Sequence, residues 1–226
     1  KELKMFIDGR FIENESGKWI KVLNPSTEEV ISLMPEGGED ARKAIDAAEK
    51  AQNQWERTPS IERAAYLTKI AAGIRKREKE LTDIIVREGG KTQGLANVEV
   101  LFTADYMDYM AGWARRYEGE IIPSDRPHEN IFLFKRPIGV TTGILPWNFP
   151  FFLVARKAAP ALITGNTIVI KPSQLTPENA YDCADLEEAG LPAGVFNLVN
   201  GRGSVIGHEL SANPSRHGKS DRKRGS

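Results

Sequence analysis

The sequence has little cysteine, no net charge and no long apolar run, and each shortage excludes a class of protein. Its single cysteine, Cys183, excludes an internal disulfide and suits the reducing cytosol. Lys and Arg number 31, as do Asp and Glu, so no overall field attracts nucleic acid or a membrane surface. No apolar run is long enough to span a bilayer, and the first residues lack the apolar core of a signal peptide. We therefore expect a globular, cytoplasmic protein.

Residues that commonly bind metals or act as nucleophiles are also sparse. The sequence contains three histidines: His128, His208 and His217. They do not have the spacing of metal ligands, so no metal site is predicted. Cys183 lies in a predicted helix with Asp182 and Asp185 nearby. Neighbouring carboxylates raise the pKa of a thiol and suppress the thiolate, which makes Cys183 a poor candidate nucleophile.

The first half of the chain is predicted to contain two hairpins and three helices. Asp8-Gly9 and Asn24-Pro25 are turn signals between short apolar segments, which predicts the hairpins. Apolar residues at helical spacing then predict three helices. The first helix begins at Glu39, the second runs from about Ile61 to Glu88, and the third runs from about Leu95 to Tyr117.

The second half alternates between strands and helices. A further hairpin is predicted first, with arms at Glu120–Pro123 and Ile131–Arg136. Short, β-branched strands follow at 140–145, 166–172 and 194–200, and helical segments lie between and after them. This alternation predicts an α/β fold whose parallel sheet is covered on both faces.

Two glycine motifs resemble nucleotide-binding loops to different degrees. "GGKT" (Gly89–Thr92) has Ile85 where a phosphate loop needs its first glycine, so it is predicted to end a helix. "GRGSVIG" (Gly201–Gly207) follows a strand and opens a helix, which is the context of a nucleotide site. Its G-x-G-x-x-x-G spacing differs from the dinucleotide fingerprint. Spacing alone therefore leaves open cofactor binding or an ordinary tight turn.

Polar residues follow two of the predicted strands. Pro146 and Pro150 bracket Asn148 at the carboxyl end of one strand, where open α/β sheets bind ligands. A rigidly held Asn148 can stabilise developing negative charge, or it can simply bond its own backbone in a turn. Lys171 ends another buried strand, where its charge is costly unless it meets an anion or a hydroxyl-rich ligand. Two such features at neighbouring strand ends suggest one ligand that spans both.

The motifs "ILPWNFP", "GNTIVIKPS" and "GLPAGVFNLV" occur in an order that resembles the aldehyde dehydrogenase superfamily. The resemblance covers residues 5 to about 214, and "FTADYMDYMAGWARRYEGEII" is most similar to the bacterial lactaldehyde and glycolaldehyde dehydrogenases. It implies a Rossmann-like NAD-binding domain and a protruding oligomerisation hairpin. The implied reaction oxidises a small hydroxyaldehyde to its acid with NAD. Intact relatives are expected to be homo-oligomers, without nucleic-acid or membrane partners.

The resemblance also divides the chain. Residues 1–119 match the N-terminal strands and helices of the NAD-binding domain, 120–137 the oligomerisation hairpin, and 138–214 the Rossmann-like core. Residues 215–226 form a basic tail that does not match the family, and the catalytic domain is absent.

Site residues are implied position by position. Asn148 matches the side-chain half of the oxyanion hole, which holds the thiohemiacetal oxygen before hydride leaves for NAD. Three short segments match cofactor contacts: Leu145, Pro146 and Trp147 at the nicotinamide half, Lys171, Ser173 and Gln174 at the adenosine ribose, and Gly203, Gly207 and His208 below the adenine and pyrophosphate. Arg156 matches a substrate-orienting arginine, and a salt-bridged surface arginine is the alternative.

The chain also departs from the family pattern. Relatives strict for NAD carry Glu in place of Gln174, and a neutral amide removes the repulsion of a 2′-phosphate, so NADP tolerance is a hypothesis. The helix from Thr176 looks about one residue short, with Asp182 and Asp185 where apolar residues are expected, so we expect it to dock poorly.

The catalytic motifs of the family are missing. The Gly-Gln-x-Cys nucleophile and both glutamate motifs are absent, and Cys183 cannot replace that cysteine. We therefore expect this chain alone to be inactive. A frameshift near Ser215 would explain the tail, because its shifted codons can encode the expected family segment, and the DNA of the gene tests this. The alternatives are a non-catalytic nucleotide-binding or interaction module, and one half of a split enzyme.

Overall fold

The structure, a computed structural model, describes residues 1–181 and 189–213. The strands are β1 (Met5–Ile7), β2 (Arg10–Ile12), β3 (Trp19–Leu23), β4 (Val30–Pro35), β5 (Glu120–Pro123), β6 (Asn130–Leu133), β7 (Val140–Ile144), β8 (Thr167–Lys171) and β9 (Phe196–Leu198). The helices are α1 (Asp40–Arg57), α2 (Ser60–Lys76), α3 (Glu78–Gly89), α4 (Gln93–Ala111), α5 (Pro150–Ile163), α6 (Glu178–Tyr181) and α7 (Gly203–Ala212).

The central sheet has five strands in the order β2-β1-β9-β8-β7. Strands β7, β8 and β9 are parallel, which confirms the α/β prediction for this half of the chain. The sheet as a whole is mixed, because β1 pairs antiparallel with both β2 and β9. Asp8 and Gly9 both have positive φ in the β1–β2 turn, as the Asp-Gly signal predicts.

Both faces of the sheet are buried, and strand β8 shows why. Its side chains alternate, so Ile168 and Ile170 pack in one core with α2–α5, whereas Val169 packs in a second core with α1 and α7. Helices therefore cover the sheet on two sides, as expected for parallel strands with apolar residues throughout.

The predicted helix from Ile61 to Glu88 is wrong in one respect, because the chain forms two helices that meet at Arg77. Arg77 has φ −105° and ψ 17°, and its N–H bonds to the carbonyls of Gly73 and Ile74. The break was hidden in the sequence because Ile74 and Leu81 on either side both reach the same core. The predicted stop after this pair is confirmed by Gly90, which has φ +63° and caps α3.

Two later boundaries also differ from prediction. Helix α4 ends at Ala111 rather than near Tyr117, and a 3₁₀ turn (Gly112–Arg115) follows it. The second arm of the β5–β6 hairpin is Asn130–Leu133 rather than Ile131–Arg136. Every residue of both hairpin strands is exposed. The hairpin is therefore held by its own ladder and contributes nothing to the two cores.

Some predictions fall outside the described residues. These are the surroundings of Cys183, the residues Asp182 and Asp185, His217 and the basic tail at 215–226. The helix predicted from Thr176 is described only as α6. Within residues 1–181 and 189–213, no helix combines the length and the apolar character needed to cross a membrane.

Candidate functional site

The three parallel strands end at one edge of the sheet, and the predicted site segments follow those ends. Ile144 pairs with Lys171 at the carboxyl ends of β7 and β8, and the Leu145 N–H continues this ladder by bonding the Lys171 carbonyl at 2.9 Å. Strand β9 lies on the other side of β8 and leads into α7. The predicted proximity of the Asn148 and Lys171 segments is therefore confirmed.

Asn148 lies in the exposed turn between β7 and α5. Its carbonyl accepts a hydrogen bond from Lys91 Nζ at 2.9 Å. Within the described residues its side-chain amide makes no hydrogen bond, so the alternative of a turn residue that bonds its own backbone is not observed. Pro146 and Trp147 are also exposed, whereas Leu145 is buried at the root of the turn. The turn thus presents an unengaged amide at the sheet edge.

Lys171 is buried, with 5% of its surface exposed. Its Nζ donates to the carbonyl of Pro172 at 3.0 Å, and it has no carboxylate partner among the described residues. Burial lowers the pKa of Lys171, because the ammonium loses hydration there. An ammonium has three N–H donors, so two of them are not used by the described part of the protein. The site therefore fits a ligand that supplies hydroxyl or anionic oxygens.

Ser173 and Gln174 follow Lys171 on the same segment and are partly buried. The Ser173 hydroxyl accepts a hydrogen bond from the Leu175 N–H at 3.2 Å, which shapes the bend. The segment therefore holds one cation, one hydroxyl and one amide after a single strand.

The start of α7 forms a third part of the same edge. Gly201 has φ +153°, and a Cβ there would lie 2.9 Å from the Gly37 carbonyl oxygen, so the turn itself requires glycine. By contrast, a Cβ on Gly203 or Gly207 would meet no atom within 4 Å. Packing does not explain these two glycines, whereas close approach of a phosphate to a helix N-terminus would. His208 is exposed on the same helix.

Arg156 lies exposed on α5 beside an aromatic group. The ring of Phe152, one turn earlier, lies 5.4 Å from that of Tyr106 and 4.6 Å from that of Phe102. Burial raises the pKa of Tyr106, and the positive charge of Arg156 opposes the rise. No ion pair involves Arg156 in the part of the chain described, so the salt-bridged alternative gains no support.

Sequence reasoning missed two residues next to the Asn148 turn. Lys91 contacts the turn directly, and Glu99 pairs with Lys91 from α4. The "GGKT" motif by itself predicts only a helix stop. A usable signal was present, because Glu99 falls between Ala96 and Thr103 on the buried stripe of its helix. A charge in such a stripe needs a partner.

Within residues 1–181 and 189–213, no group of three His, Cys, Asp or Glu side chains is placed to hold a metal ion.

Comparisons with known proteins agree with this arrangement. A sequence profile of the aldehyde dehydrogenase family matches residues 11–218. The chain is 68% identical over 212 residues to lactaldehyde dehydrogenase of Escherichia coli strain K12, covering 93% of this chain and 44% of that protein. It is 41% identical over 208 residues to D-glyceraldehyde dehydrogenase (NADP(+)) of Thermoplasma acidophilum, covering 91% and 42%. The crystal structure of lactaldehyde dehydrogenase from Escherichia coli superposes with a TM-score of 0.94 at 66% identity, over 95% of this chain and 45% of that one.

Proposed function

Because the chain belongs to the aldehyde dehydrogenase family, whose members use NAD or NADP, we propose that its sheet edge binds this nucleotide for the oxidation of a small hydroxyaldehyde. The chain spans less than half of the length of the relatives compared above, 44% in the case of the lactaldehyde dehydrogenase. The nucleotide, when bound, accepts the hydride. The residues of this chain bind and orient it.

The observation that carries the proposal is buried Lys171 with unused donors, between the Asn148 turn and the open start of α7. Lys171, Ser173 and Gln174 would bond the ribose hydroxyls of the adenosine. Gly203 and Gly207 would let the pyrophosphate approach the N-terminus of α7, where unpaired N–H groups favour anions. His208 would lie next to the adenine.

The other end of the nucleotide would lie at the Asn148 turn. Leu145, Pro146 and Trp147 would contact the nicotinamide half. The free amide of Asn148 would stabilise the negative charge that develops on the aldehyde oxygen during the reaction. Arg156, on the same helix that follows the turn, would orient a hydroxylated substrate.

Turnover requires the nucleophile of the Gly-Gln-x-Cys motif, which these 226 residues do not contain. A polypeptide of these 226 residues should therefore bind nucleotide without oxidising aldehyde. We also propose that the protein is located in the cytoplasm, because a chain with a single cysteine and no internal disulfide suits a reducing compartment. The exposed β5–β6 hairpin, with Ile121 at 72% exposure and Phe134 directly after β6 at 77%, favours contact with another chain.

The binding experiment is a calorimetric titration of NAD, and separately of NADP, into the 226-residue chain. We expect saturable binding that Lys171→Met weakens at least about tenfold. Lys69→Met, which changes an exposed lysine on α2, serves as the control and should bind like the parent chain. Absence of saturable binding of either nucleotide contradicts the proposal.

A second experiment addresses the choice of nucleotide. Gln174→Glu should reduce NADP affinity relative to NAD affinity by about tenfold, because a carboxylate repels the 2′-phosphate. The same preparations, mixed with lactaldehyde or glycolaldehyde, should form no NADH. Turnover that Cys183→Ser abolishes would contradict the prediction that this polypeptide is inactive by itself.

A further inference from the structure

Lys91 occupies an unusual position for a loop lysine. It follows the left-handed Gly90 and precedes α4, and its side chain is 17% exposed. Its Nζ lies 2.9 Å from the Asn148 carbonyl oxygen and 4.1 Å from the centroid of the Phe149 ring. One ammonium thus contacts two consecutive residues of the turn by a hydrogen bond and a cation–π interaction.

Glu99 holds Lys91 in place by an ion pair. Its side chain is fully buried on α4, and its Oε2 pairs with Lys91 Nζ. Its Oε1 accepts the N–H groups of Phe151 at 3.0 Å and Phe152 at 3.1 Å. The same carboxylate therefore holds the lysine and caps the first turn of α5, where backbone donors would otherwise be unpaired.

These contacts enclose the turn that carries Asn148. The turn is anchored before Asn148 by the Leu145 ladder bond and after it by α5, which starts at Pro150. Between the anchors, the Lys91 bond is the single side-chain hydrogen bond that reaches residues 146–149 in the described part of the chain. The Asn148 carbonyl is therefore held by Lys91, whereas the Phe149 carbonyl accepts the Leu153 N–H of α5 at 3.0 Å.

We propose that Lys91, held by Glu99, is a positioning residue that sets the orientation of the Asn148 amide at the sheet edge. The inference deepens the proposed function, since Asn148 matters there as the oxyanion donor. Lys91 itself needs no contact with substrate or nucleotide. A purely structural ion pair would stabilise α5 without affecting the turn, and this is the distinction that the experiment must make.

The experiment uses the 226-residue chain labelled with 5-fluorotryptophan and with ¹⁵N. Trp147→Phe assigns the Trp147 fluorine signal, and Asn148→Ala assigns the side-chain amide signals of Asn148. In Lys91→Met we expect the Trp147 signal to shift or broaden. We also expect the Asn148 side-chain amide signals to shift, because the carbonyl of the same residue loses its lysine partner. The signals of the other tryptophans should stay at their parent positions.

Lys69→Met is the matched control. Lys69 also lies over an aromatic ring, 5.7 Å from the centroid of Tyr66, and Tyr66 in turn packs on Trp55. Loss of this lysine should leave the Trp147 and Asn148 signals unchanged. Unchanged Trp147 and Asn148 signals in a folded Lys91→Met chain overturn the proposal.

If Lys91→Met does not fold, Lys91→Arg replaces it. This variant keeps a charge opposite Glu99, but its planar fork moves the donors away from the ammonium position. Altered Trp147 and Asn148 signals then support positioning, and parent-like signals overturn it. No nucleotide is present in these spectra. Failure of nucleotide binding and failure of positioning are therefore separate results.

Discussion

Two buried glutamates, Glu88 and Glu99, lie beneath the first turns of two helices and accept the same kind of backbone hydrogen bond. Glu99 receives the N–H groups of Phe151 and Phe152 at the start of α5. Glu88 receives those of Glu178 at 2.7 Å and Asn179 at 3.1 Å at the start of α6, together with the Asn179 side chain. The two carboxylates therefore have the same capping role, Glu99 with one oxygen and Glu88 with both.

Their charged neighbours are opposite. Lys91 balances the charge of Glu99, whereas the neighbour of Glu88 is another carboxylate, that of Glu178. Burial raises the pKa of Glu88 to about 8, with backbone hydrogen bonds opposing the rise and Glu178 adding to it. Glu88 loses its charge by taking up a proton, while Glu99 has a cation in place. The same capping role thus relies on a proton in one case and on a lysine in the other.

The largest effect that tests this comparison is the loss of each carboxylate. Glu99→Ala leaves Lys91 without its partner and two backbone donors unpaired, so it should cost about 3–5 kcal/mol of unfolding free energy. Glu88→Ala removes a largely neutral acceptor at pH 7 and should cost about 1–3 kcal/mol. Urea unfolding of both variants measures the two losses. Equal losses, or a larger loss at Glu88, would contradict the comparison.

The next effect is a pH dependence that belongs to Glu88. Its pKa is about 4.5 in the unfolded chain and about 8 in the folded one, so the folded state retains a proton between these values. The stability from this proton is complete below about pH 4.5 and is lost as the pH rises through about 8. The unfolding free energy of Glu88→Gln should therefore rise relative to that of the parent chain by on the order of 3 kcal/mol between about pH 4.5 and pH 7. If the unfolding free energies of the parent chain and Glu88→Gln change with pH in parallel, the pKa of Glu88 is not raised in the folded state.

The smallest effect concerns the cations near Glu178. Lys1 and Arg87 approach its Oε1 at 3.2 Å and 3.9 Å, and each is 53% exposed, unlike Lys91 at Glu99. Arg87→Gln should change the unfolding free energy by less than about 0.5 kcal/mol. Arg126→Gln, in an exposed pair of the same 3.9 Å length, is the control. A loss at Arg87 as large as that expected for Glu99→Ala would mean that Glu178 depends on an external cation.

The parallel part of the sheet was predictable because its signals are local. Short β-branched strands alternate with helices, and parallel strands must end at one edge, so Asn148 and Lys171 were expected to be neighbours. The stop at Gly90 follows equally from one residue's freedom at positive φ.

The remaining features depend on contacts that a local pattern does not contain. The break at Arg77 is invisible because apolar residues on both sides face one core. The hydrogen bond from Lys91 to the Asn148 carbonyl joins residues 57 positions apart. Nothing in "GGKT" or "PWNFP" alone specifies that partner. The roles of the site residues and the origin of the basic tail stay predictions.

The pairing of β1 with β9 has a consequence for synthesis of the chain. Phe6 pairs with Leu198, and the Asp8 N–H bonds the Asn197 side chain across 189 positions. The β1–β2 hairpin therefore keeps one edge unpaired until β9, near the end of the described residues, has been translated. Contacts of such sequence separation slow folding, because closure of the long loop precedes the stabilising pairing. During that interval the unpaired edge of the β1–β2 hairpin is exposed to aggregation and to chaperone binding. Helices α2 and α4 are close in sequence and can pack together earlier.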